Sequence, residues 1–243
     1  MRQFGLIGYP LSHSFSEEYF TRKFEQEEMT GCRYSLFPLK TIAALDLLII
    51  NNPELEGLNV TIPYKKQVLS FLTASQIPDG LDACNCINIS NGELTGYNTD
   101  VTGFEKSISP LLKSYHKKAL VLGNGGAAAA ITYILRKLGI DFEIVSRKLH
   151  AGSTLLYSDI DKKIMTDSTI IINTTPVGMY PAAETFPDIP YEYISDKHLL
   201  YDVVYNPSRT LFLQKGEENG AAIKNGEEML ILQAEESWRI WNG

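Results

Sequence analysis
Two rhythms of apolar residues run along this chain: short solid runs, and longer stretches in which apolar side chains recur three or four apart. The solid run 119–122 (ALVL) has no polar face, as a parallel strand covered by helices on both sides requires. Gly123, Gly125 and Gly126 follow it, residues 127–138 are helix formers throughout, and Gly139 suits a C-terminal cap. The unit predicted is strand, glycine turn, helix. Similar patterning predicts strands over 4–8, 33–37, 57–62, 141–145, 169–173, 198–205 and 221–224, and helices over 16–28, 41–50, 210–218 and 227–241. Met229, Leu232, Glu236 and Arg239 fall at helical spacing in the last of these. Pro63 suits the first turn of another helix. Asn91-Gly92, between two strand-like stretches, reads as a hairpin turn. Strand alternating with helix predicts the α/β class, with parallel sheet covered by helices.

Composition narrows the function classes. The 243 residues suffice for two modest domains or one large one, and 44% hydrophobic with 21% charged residues is ordinary for a globular enzyme. A net charge of −7 gives no support to a nucleic-acid or anionic-membrane partner. No stretch approaches the roughly 20 apolar residues of a membrane span. Glycine and proline break up the apolar run in MRQFGLIGYP, which does not read as a secretory leader. Cys32, Cys84 and Cys86 are odd in number, and the Cys-x-Cys pair has no second pair to complete a zinc site. Reduced cysteines in a cytoplasmic protein are the expectation, with no metal. The sequon Asn88-Ile89-Ser90 then carries no weight.

Candidate chemistry begins at the glycine turn. Gly123, Gly125 and Ala128 fit G-x-G-x-x-G/A, where small residues permit the tight turn, the approach of a pyrophosphate and helix–strand packing. The helix start offers unpaired N–H groups to an anion. In such folds the end of the second strand selects between NAD and NADP. Glu143 lies near the acidic position, but Ile144 and Val145 continue the strand, so its end is Ser146-Arg147-Lys148. Basic residues there favour the 2′-phosphate of NADP; the plainer role is solvated surface charge. In the first half, Ser12 and Ser14 stand ahead of a helix, where they either present hydroxyls to a carboxylate or cap the helix. Asn59 and Thr61 share a strand face, and with Lys65 they lie at a strand's C-terminal end, where open α/β sheets place ligands. Asp100 caps a helix beginning near 102 or acts chemically.

The ordered set LSHSFS, GLNVTIPYK, YNTD, GNGGAAA, NTTPVGM, YDVVYNP and NGEEMLILQA resembles shikimate dehydrogenase, from the first strand almost to the last residues. The resemblance implies a two-domain enzyme that reduces 3-dehydroshikimate to shikimate with NADP. It implies an N-terminal parallel α/β substrate domain over 1–101, rejoined by the helix 226–243, and a Rossmann-type dinucleotide-binding domain over 102–225. Carried over residue by residue, Lys65 and Asp100 match the catalytic pair, and Ser12 and Ser14 the pair that holds the substrate carboxylate. Asn59, Thr61, Asn85, Tyr205 and Gln233 match positions around the substrate hydroxyls. Gly123, Asn124, Gly125, Gly126 and Ala127 match the pyrophosphate loop. Ser146, Arg147 and Lys148 match the adenosine-phosphate site, and Thr175, Val203 and Gly226 the nicotinamide side. The implied partner is a small molecule, the implied state a monomer or homodimer.

Chemistry agrees independently. Reducing a ring ketone needs a hydride and a proton, and an ammonium such as Lys65 stabilises the developing alkoxide and can protonate it. A carboxylate such as Asp100 keeps that lysine charged. One departure stands out: after Arg147 the family carries a second arginine and a full helix, whereas this chain reads LHAGSTLLYSDI, with only His150 basic nearby. The helix is expected to be missing and the crossover short. Alternatives are a quinate-accepting, NAD-using dehydrogenase, and a non-catalytic sensor, which presence of both Lys65 and Asp100 disfavours.

Overall fold
The structure is a computed structural model that describes residues 1–11, 14–148 and 152–243. Contacts divide the chain into two units, Met1–Gly103 with Leu230–Gly243, and Phe104–Met229.

The first unit holds a six-stranded sheet in the order β2-β1-β3-β5-β6-β4. Its strands are β1 Arg2–Gly8, β2 Cys32–Pro38, β3 Leu55–Val60, β4 Ala74–Ser75, β5 Cys86–Ser90 and β6 Glu93–Tyr97. β1, β2 and β3 are parallel, and the expected turn at Asn91-Gly92 joins β5 to β6 as an antiparallel hairpin that extends the sheet past β3. Alternation along β1 sorts its side chains onto two faces. Ile7 joins Leu45, Leu58, Val60 and Ile87 in one core cluster. Phe4 and Leu6 join Phe20 and Phe24 of α1 (Phe15–Gln26) with Ala234 and Trp241 of α7 (Glu227–Trp241) in the other. Trp241 stacks on Phe4 with ring centroids 4.9 Å apart, and its indole N–H donates to the Ile87 carbonyl at 3.0 Å. Gly57 makes this fit possible, since a Cβ there would lie 2.3 Å from the indole.

Two local expectations fail here. Residues 41–50 form a 3₁₀ turn, Ile42–Ala44, followed by the short helix α2, Leu45–Asn51. No helix starts at Pro63: the Tyr64 N–H closes a turn on the Thr61 carbonyl, and the 3₁₀ segment Gln67–Phe71 comes only afterwards. Lys65 therefore sits in a turn, with its carbonyl accepting from the Cys84 N–H at 2.8 Å.

In the second unit every strand pairing is parallel, in the order β12-β11-β10-β7-β8-β9. The strands are β7 Lys118–Leu122, β8 Asp141–Ser146, β9 Leu155–Leu156, β10 Ile170–Asn173, β11 Leu199–Asp202 and β12 Ala222–Lys224. In chain order this is 3-2-1-4-5-6, the doubly wound arrangement of dinucleotide-binding folds. β10 and β11 are buried at every residue, as parallel strands between helical layers must be. α4, Gly126–Lys137, ends where Gly139 takes a left-handed φ of +66°. The Gly139 N–H bonds to the Arg136 carbonyl and the Ile140 N–H to that of Leu135, completing the predicted cap. Between β8 and β9 no α-helix lies among the described residues, in line with the expected absence after Arg147; α5 (Lys162–Asp167), six residues long, follows β9 and leads to β10. His150, the nearby basic residue, lies outside the described residues.

Candidate active site
Lys65 and Asp100 are brought into direct contact in the first unit. The turn after β3 carries Lys65, and Asp100 is the first residue of α3 (Asp100–Ile108), which starts earlier than expected. The Lys65 Nζ donates to Asp100 Oδ2 at 2.6 Å, and both side chains keep some contact with solvent, at 19% and 10% exposure. Asp100 Oδ1 is held from the other side by Asn85 Nδ2 at 2.9 Å. That amide is itself fixed, because its Oδ1 accepts from the Thr99 N–H at 2.6 Å and its Nδ2 also reaches Thr99 Oγ1 at 3.0 Å. Each carboxylate oxygen thus has its own donor.

Beneath the pair lies a buried polar network that sequence patterning did not reveal. Ser237, fully buried on α7, accepts from Asn59 Nδ2 at 3.0 Å, donates to the Gln233 carbonyl at 2.9 Å and lies 3.2 Å from Thr99 Oγ1. Thr99 Oγ1 donates to Gln233 Oε1 at 3.4 Å. The Tyr34 hydroxyl donates to Asn59 Oδ1 at 2.8 Å, and burial pushes its pKa well up, so it remains a donor. Asn59, Asn85 and Gln233, carried over as substrate contacts, are therefore buried and engaged with internal partners. Thr61 is half-exposed. Ser14 caps α1, its Oγ accepting from the Glu17 N–H at 3.3 Å, which leaves its own O–H to donate. Ser12 lies outside the described residues. Tyr205 follows β11 in the second unit and is exposed.

The second unit gathers its candidates at the C-terminal strand ends. β7 leads through α4 to β8 on one side while β10 lies on the other, so the end of β7 is a topological switch point. There Gly123 takes φ +106°, and a Cβ on it would come within 2.7 Å of Thr175 Cγ2 and 2.8 Å of Thr174 Oγ1. Only glycine allows this turn and this approach together. Gly125 precedes α4 without any side-chain cap, and nothing lies within 4 Å of where its Cβ would stand. The first N–H groups of α4 thus have no side-chain cap, and an anion such as a pyrophosphate can take that place. Asn124 lies between Gly123 and Gly125, and Gly126 and Ala127 open α4. At the end of β8 the Ser146 hydroxyl donates to the Lys148 carbonyl at 2.6 Å, and Arg147 and Lys148 are exposed. Glu143 is mid-strand and pairs with Lys118 at 3.3 Å, away from that end. Gly226 presses on Val203, where a Cβ would meet the carbonyl oxygen at 2.2 Å. The residues present fit a phosphorylated dinucleotide. No group of histidine, cysteine and carboxylate side chains among the described residues could hold a metal ion.

Comparison with known proteins gives a consistent picture. The model of the shikimate dehydrogenase substrate binding domain matches residues 6–87. The shikimate dehydrogenase (NADP(+)) of Caldanaerobacter subterraneus subsp. tengcongensis is 34% identical over 262 residues, covering 99% of this chain and 91% of that protein. Its counterpart from Clostridium beijerinckii is 36% identical over 255 residues, covering 99% and 92%. Among solved structures, shikimate 5-dehydrogenase from Thermus thermophilus, in complex with NADP(H) and shikimate, superposes with a TM-score of 0.86 at 25% identity, covering 100% of this chain and 94% of that one.

Proposed function
We propose a catalytic function from one premise: this chain belongs to the shikimate dehydrogenase family. It is an oxidoreductase that reversibly reduces 3-dehydroshikimate to shikimate with NADP, in aromatic amino-acid biosynthesis. When bound, the cofactor supplies the hydride in one direction and accepts it in the other.

The chain's own residues handle charge and the proton. As the carbonyl oxygen gains negative charge, the Lys65 ammonium stabilises it and delivers the proton that completes the hydroxyl. Asp100 keeps Lys65 aimed, and Asn85 keeps Asp100 aimed. Ser12 and Ser14 hold the substrate carboxylate, and Asn59, Thr61, Asn85, Tyr205 and Gln233 surround its hydroxyls. Residues 123–127 hold the pyrophosphate at the start of α4, Ser146, Arg147 and Lys148 the adenosine phosphate, and Thr175, Val203 and Gly226 the nicotinamide side. The observation that carries this assignment is the Lys65–Asp100 pair at 2.6 Å, braced on its far oxygen by Asn85. The free thiols of Cys32, Cys84 and Cys86 support a cytoplasmic setting. The same proposal takes the protein as a monomer or homodimer without a nucleic-acid partner.

The test follows nicotinamide absorbance with shikimate or quinate, each with NADP and with NAD. Shikimate with NADP is expected to be the productive combination. Lys65→Ala should lower kcat by about 10²–10⁴ with a much smaller change in KM, since the lysine acts as charge develops. Asp100→Asn should lower kcat too, and add little to Lys65→Ala. Near-normal turnover in folded Lys65→Ala would refute the mechanism.

A further inference from the structure
Asp202 is a carboxylate with no solvent exposure at the end of β11, and the mechanism above does not use it. Its hydrogen-bond donors are all neutral: Asn173 Nδ2 at 3.0 Å and the Val204 N–H at 3.0 Å on Oδ1, and Thr210 Oγ1 at 2.6 Å on Oδ2. Burying a charge without a cation is costly, so a carboxylate kept in such a place calls for a role that a neutral side chain fills less well.

The role is legible in the polarity of Asn173. An asparagine amide has one accepting and one donating end, and in isolation the two are nearly interchangeable in shape. A carboxylate only accepts, so Asp202 obliges Asn173 to turn its Nδ2 inward. The Asn173 Oδ1 then points to the loop after β10, where it accepts from the Thr175 N–H at 3.1 Å and from Thr175 Oγ1 at 2.6 Å. The Asn173 Nδ2 also donates to the Val177 carbonyl at 3.1 Å, so one amide grips both limbs of the loop. Flipped, that amide would face two donors of Thr175 with its own NH₂ and set its oxygen against the carboxylate. On the other side, Asp202 fixes the Val204 N–H, and with it the Val203–Val204 segment whose carbonyls meet Gly226.

We propose that Asp202 is a positioning residue of the cofactor site, which sets the amide orientation of Asn173 and thereby the place of Thr175 beside Gly123. This rests on the NADP assignment above. Asp202 touches no ligand itself; it acts through Asn173 and the β11 strand end. The competing role is plain structural tying of β11 to α6 (Leu211–Glu218), whose first turn Thr210 caps.

Asp202→Asn separates the two roles, because it keeps shape and packing but presents either a donor or an acceptor to Asn173. Calorimetric titration with NADP should give a Kd raised about tenfold, the size of one lost charge-assisted hydrogen bond. Exchange of the Thr175 amide hydrogen should quicken, while the shikimate KM at saturating NADP stays within about twofold of wild type. Asn173→Ala cuts the same link from the other end and should weaken NADP similarly, deciding the matter if Asp202→Asn does not fold. An unchanged NADP Kd in either folded variant, or a loss shared equally by shikimate, overturns the proposal. Failure of the wild type to bind NADP overturns the cofactor assignment itself, and this proposal with it.

Discussion
Asp202 also illustrates how one side chain exchanges stability for order. Burial pushes its carboxyl up to about 6 from an ordinary 3.8, against the opposing pull of Thr210, Val204 and Asn173. A folded-state value above the unfolded one means the native protein binds the proton more readily. The group's contribution to stability is then full below pH 4 and is lost as pH rises through 6. Two units correspond to roughly 3 kcal/mol. Urea unfolding of wild type and Asp202→Asn between pH 4 and 7.5 should therefore show the variant gaining on wild type as pH rises, by up to that amount. A pH-independent difference would mean that the charge is relieved in some other way. Little of this could be read from the chain. Asp202 closes the apolar stretch LLYD and Asn173 closes IIIN, and their bond spans 29 residues between strands whose pairing is a tertiary fact. Lys65 and Asp100, by contrast, stood out as polar groups at element ends, although Lys65 proves to sit in a turn and not to begin a helix.

At the scale of elements, legibility followed length. β7, the glycine turn and α4 were readable because each is specified by its own residues, down to the cap at Gly139. β4 and β9, two residues each, carry no periodicity at all and exist only because a neighbouring strand offers hydrogen bonds. The same holds for the place of α7. Its amphipathic spacing is local information, but its seat depends on Gly57, nearly two hundred residues earlier, leaving room for Trp241. A methyl group at Gly57 would meet a buried indole stacked on Phe4. Gly57→Ala should cost about 1–3 kcal/mol by overpacking. Trp238 and Trp241 are the only tryptophans in the chain and both lie on α7, so tryptophan emission during urea unfolding measures this loss where it arises. An unshifted midpoint would show that α7 can slide without cost.

The whole molecule is two units of unlike continuity. Phe104–Met229 is one uninterrupted segment, whereas the other unit needs both Met1–Gly103 and Leu230–Gly243. Removing 230–243 would strip Ala234, Trp238 and Trp241 from the cluster around Phe4, Phe20 and Phe24. Limited proteolysis of that truncated chain should cut rapidly within 1–103 and leave 104–229 protected; equal resistance in both would show that the first sheet stands without its last helix. The same discontinuity has a consequence on the ribosome. Residues 1–103 cannot complete their core until residues 230–243 are made, and at about 5–20 residues per second that interval is on the order of ten seconds. Throughout it the aromatic face of β1 and α1 waits uncovered, while the nucleotide-binding unit, begun later, can finish folding first.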